Sequence, residues 1–190
     1  MPKLDLGELK ENDLSGKDED GTTAIAIWIA EMHANLHNHN KPTYLMDKML
    51  VNASGEMSNT SVVLDGKKFL FLLFSSLRND TEWEYKVIDE FYEECRTLKP
   101  IVEVIYVPLD MCDEEFQTAL RKYHSKWWAF QLSDRHTIRT LTSCYGVEDW
   151  FSIPILFRTI VVAISGGCVV STNPINDIYK YGLHALKMWS

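Results

Sequence analysis

Two runs made almost entirely of apolar residues are predicted to form the centre of the hydrophobic core. The first run, Phe69–Phe74, follows a turn formed by Asp65-Gly66-Lys67. The second run, Ile101–Val107, contains Glu103 as its one charged residue. Continuous apolar runs of this length are typical of strands that are covered on both faces of a sheet. The pattern therefore predicts two neighbouring, fully buried strands.

Apolar residues at helical spacing lie between and after these strands. Thr81 and Glu84 form a capping box at the start of a predicted helix that Pro100 ends. Two further helices are predicted to begin at Asp113 and at Ser133 or Asp134. The remaining predicted elements are a strand over Ile155–Ile164, a hairpin turn at Gly166-Gly167, a strand over Cys168–Thr172 and a helix over Ile175–Trp189.

With the two successive helices from Asp113 and from Ser133 or Asp134 counted as one helical segment, the predicted order of elements after residue 65 is β-α-β-α-β-β-α. The first two strands are expected to pair in parallel through a right-handed crossover, and the last two to form an antiparallel hairpin. This order predicts an α/β fold with a mixed, four-stranded central sheet that is flanked by helices.

Composition and charge narrow the function classes. The chain has 190 residues, of which 46% are apolar and 24% charged, as expected for one globular domain with an extension. The net charge of −8 argues against nucleic-acid binding. No apolar run approaches the roughly 20 residues that span a bilayer, and no basic secretory signal is present, so we expect a cytoplasmic or nuclear protein.

The N-terminal region differs in composition from the rest of the chain. Residues 1–20 contain seven acids and three lysines, so 1–21 is predicted to be a disordered acidic tail. Residues 22–43 are predicted to form a helical extension, and 44–190 the main domain. In the extension, His33 and His37 lie one helical turn apart, but further metal ligands are missing nearby, which favours a polar helix end. No metal or cofactor is predicted.

Seven short segments between about residues 44 and 173 have an order and spacing that together resemble one family. The segments are Asp65-Gly66-Lys67, Phe74-Ser75-Ser76, Glu90-Phe91-Tyr92-Glu93, Val104 to Asp110, Trp128-Ala129 with Asp134-Arg135, Tyr145-Gly146-Val147-Glu148, and Ser152-Ile153-Pro154. The series resembles the tryparedoxin and nucleoredoxin branch of the thioredoxin-like proteins. The resemblance implies a thioredoxin-like fold that holds an extended peptide beside a proline loop.

The resemblance also implies that the catalytic motif has been lost. In that family the first helix begins at Cys-Pro-Pro-Cys, and the helix N-terminus favours the reactive thiolate. Within one residue, the matching positions are Arg78, Asn79, Asp80 and Thr81, and none is a cysteine. Because dithiol exchange needs both sulfurs, the resemblance implies a degenerate site that is redox-inactive.

The proline loop is the second predicted part of the site. Ser152-Ile153-Pro154 matches the family's loop, whose proline is cis, and this loop is expected to lie beside the turn Ser76 to Thr81. Trp150 and Phe151 form either an apolar lip on a peptide groove or part of the packed body. The predicted groove residues are therefore Trp150, Phe151, Ser152, Ile153 and Pro154.

The function that follows from these features is binding of a protein or an extended peptide, without enzymatic activity. The alternative is a thiol oxidoreductase of the protein-disulfide reductase class that uses Cys112 or Cys144. A third interpretation is a structural subunit of a larger assembly. The chain has no Cys-x-x-Cys motif, so its four cysteines are expected to be separate thiols, mostly buried.

A basic stretch near the middle of the chain has two interpretations. It is either a solvated face or a binding surface for an acidic partner, which includes the chain's own tail. Its members are Arg121, Lys122, His124, Lys126, Arg135, His136 and Arg139.

Overall fold

The computed structural model describes residues 45, 47–78, 82–147 and 159–190, all within one compact unit, Leu36–Ser190. Its strands are β1 (Met49–Val51), β2 (Met57–Asn59), β3 (Phe69–Ser75), β4 (Val102–Pro108), β5 (Trp128–Phe130), β6 (Ile160–Ser165) and β7 (Cys168–Ser171). Its helices are α1 (Thr60–Val63), α2 (Glu82–Leu98), α3 (Asp113–Lys122), α4 (Arg135–Cys144), α5 (Pro174–Tyr181) and α6 (Ala185–Met188), with a 3-10 helix at Gly182–His184. The predicted acidic tail and the helical extension lie outside the described residues.

The strands form a single mixed sheet with the order β2-β1-β5-β4-β3-β6-β7. The predicted parallel pairing of β3 with β4 and the antiparallel hairpin of β6 with β7 are confirmed. The four predicted strands form the contiguous part β4-β3-β6-β7 of the sheet, and β1, β2 and β5, which were not predicted, extend it beyond β4. Each of these strands has three residues, which is too short for a recognisable periodic pattern.

Helices cover both faces of the central strands. Every residue of β3 and of β4 is buried. On one face, the Phe71 ring stacks on the Phe91 ring of α2, and the Trp189 ring packs edge-on against Phe71. On the other face, Phe74 contacts Tyr145, which directly follows α4. Successive side chains of a strand point to opposite faces, so a strand covered on both sides carries an unbroken apolar sequence.

The observed helix starts agree with those predicted from the sequence, but the last helix is shorter than predicted. Asp134 caps α4 by accepting a hydrogen bond from the Thr137 N–H, and α3 begins at Asp113. The helix predicted over Ile175–Trp189 is broken instead at Gly182, which has a φ of 54°. The break lets the chain fold back, so that the Trp189 Nε1 donates to the Asp177 carboxylate at 3.2 Å.

The hairpin after the long predicted strand is confirmed. Gly166 and Gly167 both have positive φ, at 58° and 86°, and they connect β6 to β7. The described part of the strand predicted over Ile155–Ile164 begins at Ile160. The Ile153–Pro154 peptide bond, expected to be cis, lies outside the described residues. Within the described part of the chain, no helix has the length and apolar character needed to cross a membrane.

Candidate functional site

The candidate site lies where the parallel strands β3, β4 and β5 end. Their carboxyl ends share one edge of the sheet, where open α/β sheets generally bind ligands. Of the four predicted motif positions, Arg78 lies within the described residues. The other three, Asn79, Asp80 and Thr81, lie outside them. So do the five predicted groove residues, Trp150, Phe151, Ser152, Ile153 and Pro154, and the expected contact between the turn and the proline loop therefore stays a prediction.

Arg78 connects the loop after β3 to helix α3. Its Nε and Nη2 donate to Oε1 of Glu115 at 2.8 and 2.6 Å. The other carboxylate oxygen of Glu115 accepts the Met111 N–H at 3.0 Å. The hydrogen bond with Glu115 raises the pKa of Arg78, and the same bond lowers the pKa of Glu115. An ion pair thus connects the loop after β3 to α3.

Asp110 is a buried carboxyl group that holds three parts of this edge together. It is 1% exposed. Its side chain accepts the Leu77 N–H at 2.7 Å and the Tyr106 hydroxyl at 2.6 Å, and its backbone oxygen accepts from Arg135 of α4 at 3.4 Å. Burial raises the pKa of Asp110. The loop after β3, the end of β4 and the start of α4 therefore share one anchor.

Hydroxyl groups and aromatic rings form the layer below this edge. The Ser75 hydroxyl is hydrogen-bonded to the Tyr85 hydroxyl, and it lies 3.2 Å from the Thr159 hydroxyl. The centroid of the His124 ring lies 4.9 Å from that of Tyr85. His124 is buried, and burial lowers its pKa to about 3, so the imidazole is neutral in the folded protein near neutral pH. This layer packs as a largely uncharged support for the edge.

The basic stretch predicted from the sequence is not one face. His124 is buried and uncharged, whereas Lys126 forms ion pairs with Asp89 and Glu93 of α2 at 2.9 and 3.5 Å. Lys122 donates to the Tyr123 hydroxyl. The structure therefore divides this stretch, because its residues belong to α3, the following turn and α4.

Two exposed apolar side chains at this edge were missed in the sequence. Trp83, in the first turn of α2, is 58% exposed, and Met111, just before α3, is 72% exposed. A signal for Trp83 was present: the buried positions of α2 include Tyr85, Ile88 and Phe91, and Trp83 lies off that stripe. An aromatic residue between two glutamates, two positions after the last motif position, indicates an exposed contact.

All four cysteines are free. The expectation that most are buried was wrong, because Cys112 and Cys168 are exposed and Cys144 is half-buried. Cys95 is buried in α2, and burial raises its pKa to about 12, which makes it a poor nucleophile. Cys112 directly precedes α3 at the candidate edge. No pair of these thiols forms a disulfide in the structure.

Metal binding would require a cluster of donor side chains. Among the residues with described coordinates, no group of three His, Cys, Asp or Glu side chains could hold a metal ion. His33 and His37, the pair noted in the sequence, lie outside them.

Similarity to solved structures identifies the architecture. Thioredoxin from Wuchereria bancrofti superposes with a TM-score of 0.61 and 23% identity, covering 76% of this chain and 95% of that chain. The protein has the thioredoxin fold. Tryparedoxin from Trypanosoma brucei is similar, with a TM-score of 0.59 and 23% identity over 75% of this chain and 92% of that chain. Tryparedoxin I from Leishmania major superposes with a TM-score of 0.58 and 20% identity, covering 73% of this chain and 89% of that chain.

The thioredoxin fold predicted from the sequence is thus confirmed by the structure. No family model matches the chain, and no curated protein matches its sequence. At these identities the similarity establishes the thioredoxin fold alone.

Proposed function

We propose that this thioredoxin-fold protein is redox-inactive and binds another protein or an extended peptide at the carboxyl edge of β3 and β4. The observation that carries the proposal is the composition of the loop between β3 and α2. From Ser76 to Glu84 the sequence contains no cysteine, and Arg78 in this loop is engaged by Glu115. Exchange of a dithiol with a disulfide requires two sulfur atoms that can form a bond with each other.

The surroundings of the loop support a binding role. Trp83 and Met111, which both follow the fixed segment Leu77–Arg78 in the sequence, expose large apolar side chains. Aromatic and methionine side chains are enriched in protein interfaces, where they contribute contact area. Asp110 accepts the Leu77 N–H and Glu115 accepts the Met111 N–H. A partner would therefore meet a surface whose backbone is already ordered.

Peptide selection tests this function. A random-peptide phage library is selected on the immobilised full chain, and the selected peptides are then measured against two double variants. Trp83→Ala with Met111→Ala is expected to weaken binding about tenfold or more, because removing interface anchors typically costs about 2 kcal/mol. Tyr179→Ala with Met188→Ala is the matched control, since these side chains are also about half exposed, at 54% each, but lie on α5 and α6.

Two results would contradict the proposal. One is the selection of no peptide at all. The other is reduction of insulin by dithiothreitol, followed as turbidity, at the rate that an intact thioredoxin supports.

Thiol chemistry at Cys112 or Cys144 is the second candidate function. Exposure at the candidate edge favours Cys112 over the half-buried Cys144. Alkylation by iodoacetamide, followed by mass spectrometry, separates the two functions. A rate at Cys112 far above that of free glutathione would support thiol chemistry, and its loss in Cys112→Ser would assign the residue. Ordinary rates at all exposed cysteines would favour the binding function.

A further inference from the structure

Helix α4 carries an exposed basic patch that begins at the candidate edge. Arg135, His136 and Arg139, hereafter the α4 patch, are exposed, while Ile138 and Leu141 of the same helix are buried. Residues three and four apart are neighbours on a helix surface, so the three basic side chains are adjacent. Arg135 also donates to the Asp110 backbone oxygen, which places the start of the patch beside the β4–α3 loop.

The α4 patch has no neutralising carboxylate on its own helix, because the sequence of α4 contains no acidic residue. Elsewhere, Lys67, Arg78, Lys86, Arg96 and Lys126 each pair with an Asp or a Glu. Among the residues that the structure describes, Arg135 and Arg139 form no such pair. In a chain with a net charge of −8, this leaves a local positive surface within an acidic protein.

We propose that the peptide bound at this edge is acidic and that Arg135 and Arg139 bind its carboxylates. The inference rests on the proposed function, since it concerns the partner of that same site. A guanidinium group presents paired N–H donors that match a carboxylate, so two arginines one turn apart recognise two acidic side chains. Met111 directly follows Asp110, so an apolar contact and the α4 patch adjoin the same anchor residue.

A peptide fits this surface better than a nucleic acid does. Nucleic-acid binding draws its affinity from neutralising many phosphates along a strand. The α4 patch offers two arginines and one histidine, and the surrounding protein is acidic. A short acidic segment with apolar residues needs only local complementarity, which steers its approach and fixes its register.

The composition of selected peptides is the first test. From a random-peptide library selected on the full chain, we expect peptides enriched in Asp and Glu. Selected peptides without this enrichment would overturn the inference and leave the proposed function standing. Selection of no peptide would overturn both.

The second test uses defined probes. A fluorescein-labelled short peptide that alternates Glu with Leu and Phe is compared, by anisotropy, with the same peptide carrying Gln in place of Glu. We expect Arg135→Gln with Arg139→Gln to weaken the Glu peptide about tenfold, and to leave the Gln peptide unchanged. The control, Lys180→Gln with Lys187→Gln, removes the same charge from exposed positions on α5 and α6 and should have little effect.

Three outcomes would contradict the inference. They are equal losses in both double variants, no loss in the arginine variant, and tighter binding of a labelled oligothymidylate than of the Glu peptide. Arg139→Glu alone provides a second variant that leaves the Arg135 contact with Asp110 in place, and it should weaken the Glu peptide while the protein retains a cooperative melting transition.

Discussion

His124 shows how burial changes the chemistry of a single residue. Its ring centroid lies 4.2 Å from that of Tyr106 and 5.1 Å from that of Trp127, so it packs as one ring in an aromatic cluster. In the sequence it belongs to a basic stretch, yet it carries no charge in the folded protein near neutral pH. In the sequence His124 lies between Lys122 and Lys126, and these neighbours do not show which side of the helix–turn junction faces the core.

The low pKa of His124 predicts acid sensitivity. In the unfolded chain the imidazole has its ordinary pKa of 6.5, whereas in the folded protein the pKa is about 3. Below the unfolded value, the unfolded chain binds a proton that the folded protein does not. Between about pH 7 and about pH 5, this group should therefore remove about 2 kcal/mol from the free energy of unfolding.

Urea unfolding of the variant His124→Leu checks this expectation. Compared with the wild type, the variant should lose about 2 kcal/mol less on acidification over the same range. His184→Leu, which replaces an exposed histidine, is the control and should follow the wild type. An identical loss in the wild type and in His124→Leu would show that another group determines the acid sensitivity.

Asp110 is the residue whose replacement should most directly test the anchoring of the candidate edge. Asp110→Ala removes the acceptor of the half-buried Leu77 N–H and a partner of the buried Tyr106 hydroxyl. We expect the free energy of unfolding to fall by about 2 to 4 kcal/mol, since buried groups would lose their partners. The measurement is urea unfolding at neutral pH.

Asp110→Asn is the matched variant. Its amide oxygen can accept from Leu77, and its amide nitrogen can donate to the Tyr106 oxygen, while the Tyr106 hydroxyl donates to the Ser75 carbonyl oxygen at 3.0 Å. We therefore expect a loss within about 1 kcal/mol of the wild type. If the alanine variant is as stable as the asparagine variant, Asp110 does not anchor this edge.

At the scale of secondary-structure elements, the helix after β7 shows how one backbone position overrides a side-chain pattern. Apolar residues from Ile175 to Trp189 fit one continuous helix. Gly182 instead adopts a φ of 54° and a ψ of −137°, a conformation that L side chains rarely adopt. The resulting bend directs Trp189 onto Phe69 and Phe71 of β3.

Gly182→Ala tests the importance of this bend. A Cβ at this position would meet no atom within 4 Å, so its cost is backbone strain alone. We expect the variant to lose about 1 to 3 kcal/mol of unfolding free energy. His184→Ala, at an exposed residue with a φ of −66°, is the control and should change stability by less than about 0.5 kcal/mol. An unchanged free energy of unfolding in Gly182→Ala would mean that the variant can connect α5 to α6 through a different backbone conformation.

At the scale of the whole molecule, the distribution of charge separates the N-terminus from the domain. Residues 1–20 contain seven acids and three lysines, and their apolar residues are isolated along the sequence. Such a segment buries too little apolar surface to offset the entropy of ordering. We expect removal of residues 1–20 by limited proteolysis to leave the Tm of the remaining chain unchanged. A decrease of several degrees in differential scanning fluorimetry would show that the tail packs on the domain.

The sequence by itself determined the elements that are long and locally encoded. The apolar runs at Phe69–Phe74 and Ile101–Val107 predicted β3 and β4, because strands covered on both faces cannot alternate with polar residues. Capping residues such as Asp134 located the helix starts. The family resemblance, together with the absence of cysteine from Arg78 to Thr81, predicts a degenerate motif, and this stays a prediction.

Only the tertiary structure decided the features that depend on residues far apart in the chain. Strands β1 and β5 form by pairing Leu50 with Phe130, and neither strand has a periodic pattern of its own. The burial of His124, the anchoring by Asp110 and the exposure of Trp83 likewise depend on which elements pack together. The physical reason is that local sequence sets backbone preferences and apolar periodicity, whereas burial and hydrogen-bond partners are properties of the assembled sheet and helices.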